Sequence, residues 1–182
     1  VGVGGRHVVQ ALVVTLIVVV LDEGFDLVIR FGGVKADSGL VARVLARDKY
    51  LMVASSEYVR RHGMPTDVAH LINHQCLLFS SKGHRQKWRC LGSDGQWTSI
   101  EVRSRLRLDS GEALLNATMR HIGIALIPSF LVVNDIRTGR LIRLLPDLVT
   151  ETIEISVIYP DRRLLDPRVR RFIDLMAAGL EL

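Results

Sequence analysis

The spacing of apolar and polar positions changes several times along the chain, and each change marks an element. Residues 27–31 are nearly continuously apolar between Gly24 and Gly32-Gly33, which predicts a strand covered on both faces. A second strand is expected at 50–54. Ser55 is then placed to cap a helix running through His62, with Gly63 at the position that adopts positive φ and Pro65 just beyond. Residues 77–79 read as a short strand. The polar stretch 80–99 reads as loops with one hairpin, since Asp94-Gly95 is a tight-turn signal.

Residues 101–108 alternate with a period of two: Glu101, Arg103, Arg105 and Arg107 on one side, Val102, Ser104, Leu106 and Leu108 on the other. This predicts a strand with a wet, basic face. No aromatic residues interleave with these arginines, so a solvated sheet face accounts for them better than a nucleic-acid surface. Asp109 or Ser110 can cap the next helix, with Glu112 placed for a capping box. That helix is expected to reach His121, to bury Leu114, Ala117 and Thr118, and to end at Gly123. The apolar run 124–127, stopped by Pro128, is a buried strand. A helix feeding such a strand is an α/β crossover. Ser129 can cap a short helix through Ile136, and Gly139 turns the chain into a strand at 141–145. The segment 153–159 is a strand with at least one packed face. Asp166 caps a final helix with Pro167 at its first position, and Val169, Phe172, Ile173 and Met176 form its apolar stripe up to Gly179. Strands and helices interleave throughout, so the fold class is α/β.

Composition narrows the function. At 182 residues, 48% hydrophobic and 24% charged, the chain has the make-up of one folded domain or two small lobes. A net charge of +5 permits an anionic partner without demanding one. Two cysteines, Cys76 and Cys90, suit a reducing compartment better than a disulfide framework. Cys76 reads as a small core residue. The apolar stretch 8–21 is too short to span a bilayer and is closed by Asp22-Glu23, so no membrane helix and no targeting segment are expected. The Asn116, Ala117, Thr118 sequon falls inside a predicted helix and reads as chance.

Candidate chemistry is sparse. Of the six histidines, His70 and His74 stand four apart near Cys76, but a metal centre wants three or four converging ligands. Surface or capping histidines are the expectation, with no metal and no cofactor. No nucleophile elbow, zinc-protease helix or phosphate-binding loop is present, and no catalytic set can be nominated. The glycine-rich start, Gly2 to Arg6, is a poor dinucleotide fingerprint, although its backbone N–H groups could cradle an anion.

Blocks of residues spread along the chain add what periodicity cannot. They are Gly24-Phe25-Asp26-Leu27-Val28-Ile29-Arg30-Phe31-Gly32, then Asp37-Ser38-Gly39-Leu40-Val41-Ala42-Arg43 with Leu45. They continue through Ala54-Ser55, Tyr58, His62-Gly63-Met64-Pro65, Leu71, His74 and Cys76-Leu77. Further on come Gly123-Ile124-Ala125-Leu126-Ile127-Pro128, Gly139-Arg140-Leu141, Leu144-Leu145-Pro146, Tyr159-Pro160 and Val169-Arg170 with Phe172-Ile173-Asp174. In this order, over most of the chain from Leu21, the sequence resembles the effector-binding domain of LysR-type transcriptional regulators.

The resemblance implies a type II periplasmic-binding-protein fold with a hinge between two lobes, residues 1–50 with 152–182 and residues 51–151. It implies a small effector, an organic or aromatic acid, in the cleft between the lobes, and a cytoplasmic bacterial protein that is a homodimer or homotetramer and not an enzyme. DNA would be contacted only through the family's N-terminal winged helix-turn-helix, which lies outside this chain. Carried over by position, the effector site involves Gly4, Gly5 and Arg6, the strand end Phe31-Gly32, Phe79, the helix start Asp109-Ser110, and Ile127, Pro128 and Phe130. Arg6 is equally readable as a partner for an effector carboxylate or as an exposed side chain, and the phenylalanines as wall or core. The chain departs from the family pattern at Val14-Thr15 and Val20-Leu21, where further residues are expected and a helix-to-strand join has no room for a turn. The mechanism implied is a population shift: effector favours one lobe arrangement, which the oligomer passes to the DNA-binding modules. A solute-binding protein of a transporter, and then an enzyme, are the alternatives on the same fold.

Overall fold

The computed structural model describes residues 26–32, 40–81, 84–85, 87–92, 94–104, 106–160 and 166–179. These fall into two compact units, one drawn from 1–48 and 152–182, the other from 49–151. The architecture is mixed α/β.

In the first unit, β1 (Val28–Phe31) pairs antiparallel with β10 (Thr152–Pro160), Val28 opposite Ile158 and Phe31 opposite Ile155. In the strand order β10 stands between β1 and β2 (Leu40–Ser55). Ile153, Ile155, Ser156, Val157 and Ile158 are all buried, so β10 is covered on both faces. The final helix, α4 (Pro167–Gly179), begins as expected: Asp166 Oδ1 accepts from the Arg168 amide at 2.8 Å, and Ile173 and Met176 are its buried residues. Arg43 reaches Asp174 at 3.0 Å, an exposed pair of little energetic weight.

The strand expected at 50–54 is much longer, because β2 begins at Leu40. Its first residues are exposed or half-buried, with Arg43 and Arg47 turned to Asp174 and Glu154. A strand held by backbone pairing, with no face in the core, carries no hydrophobic period to read.

In the second unit, the later part of β2 pairs antiparallel with β8 (Ile124–Pro128) and with β9 (Leu141–Arg143). β3 (Cys76–Ser81) lies between β8 and β7 (Leu106–Leu108), parallel to both, and also carries the short β4 (His84–Arg85). The crossover from β7 to β8 is α2 (Gly111–Met119). Consecutive strand residues point to opposite faces. Met52, Ala54, Leu78, Ile124 and Leu126 therefore share one core with Tyr58, Leu71 and Trp88. Leu51, Val53, Leu77, Ala125 and Ile127 share the other with Leu114, Ala117, Val132 and Leu141. α1 (Ser56–His62) and α3 (Ser129–Arg137) complete the α-helices among the described residues. The hairpin joins β5 (Arg89–Leu91) to β6 (Trp97–Ser99), with Gly95 at φ 76°.

Several expectations are corrected at element ends. Residues 101–104 are not strand, although Val102 and Ser104 are half-buried between the exposed Glu101 and Arg103; only 106–108 pair with β3. α2 stops at Met119 rather than at His121, and His121 itself takes φ 65°. Gly123 is needed for another reason: a Cβ there would sit 2.5 Å from the Gln75 carbonyl oxygen. Ser129 is the first residue of α3, whose N-cap is Pro128, with no side-chain cap. β9 ends at Arg143, and Leu145 has φ 45°.

Cys76 and Cys90 are free and buried. Burial pushes the Cys76 thiol up to about 12, the opposite of a reactive thiolate. His74 is buried rather than on the surface. Among the described residues no group of three His, Cys, Asp or Glu side chains is arranged to hold a metal, and no helix is long and apolar enough to cross a membrane.

Candidate functional site

Three strands of the second unit, β3, β7 and β8, run parallel and end at one edge of its sheet. The register sets Phe79 opposite Leu108, which brings Asp109 and Ser110 beside the end of β3. Ile127 and Pro128 close β8 at the same edge, with Tyr50 opposite Pro128. Chain order explains the arrangement: each strand leads out at its C-terminal end, and two of them feed helices whose first amide groups lack intrahelical partners.

Ser110 is the side chain that organises α2. Its backbone is extended and its Oγ accepts from the Ala113 amide at 3.3 Å. Asp109 is displaced from the cap by one position. The third helical residue is consequently Ala113, not Glu112, and no capping box forms. Glu112 remains in the first turn, where its charge suits the helix dipole. Ser110→Ala is expected to lower stability by about 1 kcal/mol, measured as a shift in the denaturant midpoint with unchanged slope.

The aromatic candidates divide. Phe130 is buried in the first turn of α3. Phe79 is half-buried and packed against the core shared by Leu77 and Leu114. In the first unit, Phe31 is half-buried at the end of β1. Gly32 follows at φ 92°, its amide donating to the Glu154 carbonyl at 2.9 Å. Gly4, Gly5 and Arg6 lie outside the described residues, as do the joins at Val14-Thr15 and Val20-Leu21. The expected residues of the second unit thus share one edge. An open groove of about 330 Å³ elsewhere in that unit, between Val68, Ala69 and Ile72 and the hairpin residues Cys90 and Thr98, contains none of them.

Tyr50, opposite Pro128 in register, lies beside the expected residues without having been one of them. It is half-buried, and its carbonyl accepts from Thr150 Oγ1 at 2.6 Å. The signal that could have found it is its place at the polar start of an otherwise buried run, directly after Lys49.

Residues 9–181 match the family described as the LysR substrate binding domain. Among curated relatives, the HTH-type transcriptional regulator CrgA of Neisseria meningitidis serogroup C is 33% identical over 161 residues, which is 88% of this chain and 53% of that protein. PgrR of Escherichia coli is 28% identical over 158 residues, 85% of this chain and 52% of that protein. The chain spans about half the length of the curated relatives it matches, 53% in the case of CrgA. Among solved structures, the CrgA regulatory domain from Neisseria meningitidis aligns with a TM-score of 0.75 at 33% identity, covering 85% of this chain and 75% of that one. Full-length AphB of Vibrio cholerae aligns with a TM-score of 0.71 at 26% identity, covering 87% and 53%. These relatives are named as transcriptional regulators, and the match extends over nearly all of the sequence, so this chain belongs to the LysR substrate binding domain family.

Proposed function

We propose that the chain is the effector-binding and oligomerisation domain of a cytoplasmic LysR-type transcriptional regulator, sensing a small organic acid. The observation that carries this reading is the family match over residues 9–181. The common edge of β3, β7 and β8 supports it. Open amide groups at the start of α2 and the Ser110 hydroxyl suit a carboxylate, and Phe79, Asp109 and Ile127-Pro128, with Phe130 just beyond, lie at the neighbouring strand ends. Phe31 and Gly32, at the end of β1, are the candidates of the first unit. Effector binding biases one conformation of the domain, and a homodimer or homotetramer passes that bias to DNA-binding modules elsewhere in the whole protein. No cofactor is required by this mechanism.

The test is calorimetric titration of the chain with a panel of short aliphatic and aromatic carboxylates, followed by DNA-binding measurements on the whole regulator with the best binder. One class of acid is expected to bind, with affinity reduced about tenfold by Ser110→Ala, and to change the DNA contacts. A panel without binding, or binding that leaves the DNA contacts unchanged, overturns the reading.

A further inference from the structure

Three histidines of the second unit gather around one tyrosine. The Tyr58 hydroxyl, on α1, accepts the Gln75 amide at 3.0 Å and lies 3.3 Å from His74 Nδ1. A hydroxyl that has accepted from Gln75 still has its own proton to give, and neutral His74 takes it in the tautomer that leaves Nδ1 unprotonated. Tyr58 is 2% exposed and His74 4%, so this pair has no ready exchange with water. The His62 ring lies 4.5 Å from the Tyr58 ring, and the His70 ring meets His74 edge-on at 5.4 Å. His70 belongs to the short 3-10 helix Ala69–Asn73, so the cluster ties α1, that helix and the entry to β3 together.

We propose that the Tyr58–His74 hydrogen bond is an acid-released latch, which pins α1 and the 3-10 helix to the start of β3 while His74 is neutral and loosens this corner when it is protonated. Protonation turns Nδ1 into a donor aimed at a hydroxyl that already accepts from Gln75. The Tyr58 proton then loses its acceptor inside a dry site. The groups facing His74 make the added charge harder to accommodate. His62 and His70 contribute positive charge when protonated, and Cys76, on β3 against Tyr58, is held as the neutral thiol. The nearby carboxylates are engaged elsewhere: Glu57 with Arg60 and Arg61 on α1, Asp67 with the His70 amide. Burial first, and then His70 and His62, hold the His74 imidazole below its ordinary value. With the folded value lowered, the unfolded or opened form binds the proton first. Stability is therefore full above the ordinary imidazole value of about 6.5 and falls as the pH drops through it toward the folded value.

The test is amide hydrogen exchange with imidazole-resolved NMR on the chain. After correction for intrinsic chemistry, protection of the Gln75 amide is expected to fall about tenfold between about pH 7.5 and pH 5.5. In His74→Gln, whose side-chain oxygen still accepts from Tyr58 but does not titrate, protection is expected to be level over that range. The same fall in His74→Gln, or titration of His74 at or above its ordinary value, overturns the proposal. If His74→Gln does not fold, the double variant His62→Gln, His70→Gln decides alone. It keeps the latch and leaves His74 as the one titrating ring of the cluster, so the fall in Gln75 amide protection is expected to follow the His74 titration; protection that stays level, or that falls at a different pH, overturns the proposal.

Discussion

Leu77→Ala is expected to destabilise the chain by about 2–5 kcal/mol, close to the whole stability of a small domain. Leu77 is 1% exposed on β3, the strand flanked by β7 and β8. Its neighbours in register are Leu106 on one side and Ala125 on the other, and its side chain belongs to the core shared by Leu114, Ile127 and Val132. Truncation removes the burial of three carbon atoms and leaves a void lined by strands and α2, which cannot all close in. Urea unfolding gives the measurement. Leu91→Ala, at a hairpin position 38% exposed, serves as control and is expected to change stability by less than about 0.5 kcal/mol. A loss below about 1 kcal/mol for Leu77→Ala would mean that β3 is not central to the second unit.

Gly123→Ala is expected to cost about 1–3 kcal/mol although it adds a single methyl group. The new Cβ would lie 2.5 Å from the Gln75 oxygen and 3.1 Å from its carbonyl carbon, both backbone atoms, and 3.3 Å from Leu77 Cγ. That oxygen accepts from the Ile124 amide at 2.8 Å, so making room breaks the first bond that aligns β8 with β3. No rotamer change relieves a backbone clash. Gly111→Ala offers the contrast: its nearest contact would be Leu131 Cδ1 at an ordinary 3.7 Å. It is expected to be neutral within about 0.5 kcal/mol. Thermal melts of both variants separate the two cases, and equal effects would remove close approach as the reason for glycine at 123.

Gly123 also shows where sequence reading stops. A glycine after an amphipathic run reads as a helix terminator, yet the left-handed residue is His121, whose Nδ1 is 2.8 Å from Ser55 Oγ. A tertiary contact allows a histidine where local preference wants glycine, and the real glycine answers to a neighbouring strand. The strands β3 and β8 were legible as continuous apolar runs, β1 as a short run broken only by Arg30, and β10 by its alternation. So were the caps at Ser55 and Asp166, whose side-chain bonds are local. The first part of β2 was not, since its side chains are mostly exposed or half-buried and leave no apolar face to read. In the candidate site, the cap at Ser110 and the strand end at Ile127-Pro128 were readable as punctuation. Tyr50 was not, because its neighbours come from a strand more than seventy residues away, with Pro128 as its partner in register. His74 read as a surface or capping histidine, and only the fold brings Tyr58 to it.

The first unit is assembled from two stretches of chain separated by the whole of residues 49–151. On a ribosome this imposes an order. The nascent 49–151 segment can bury its two cores while β1 still has no β10 to pair with, a delay of several seconds at roughly 5–20 residues per second. Val28, Ile29 and Phe31 must wait through that interval. A message cut short before codon 152 would thus leave a finished second unit attached to a strand whose partners in register, Ile155 to Ile158, are never made. Such a product is a natural client for chaperones and proteases.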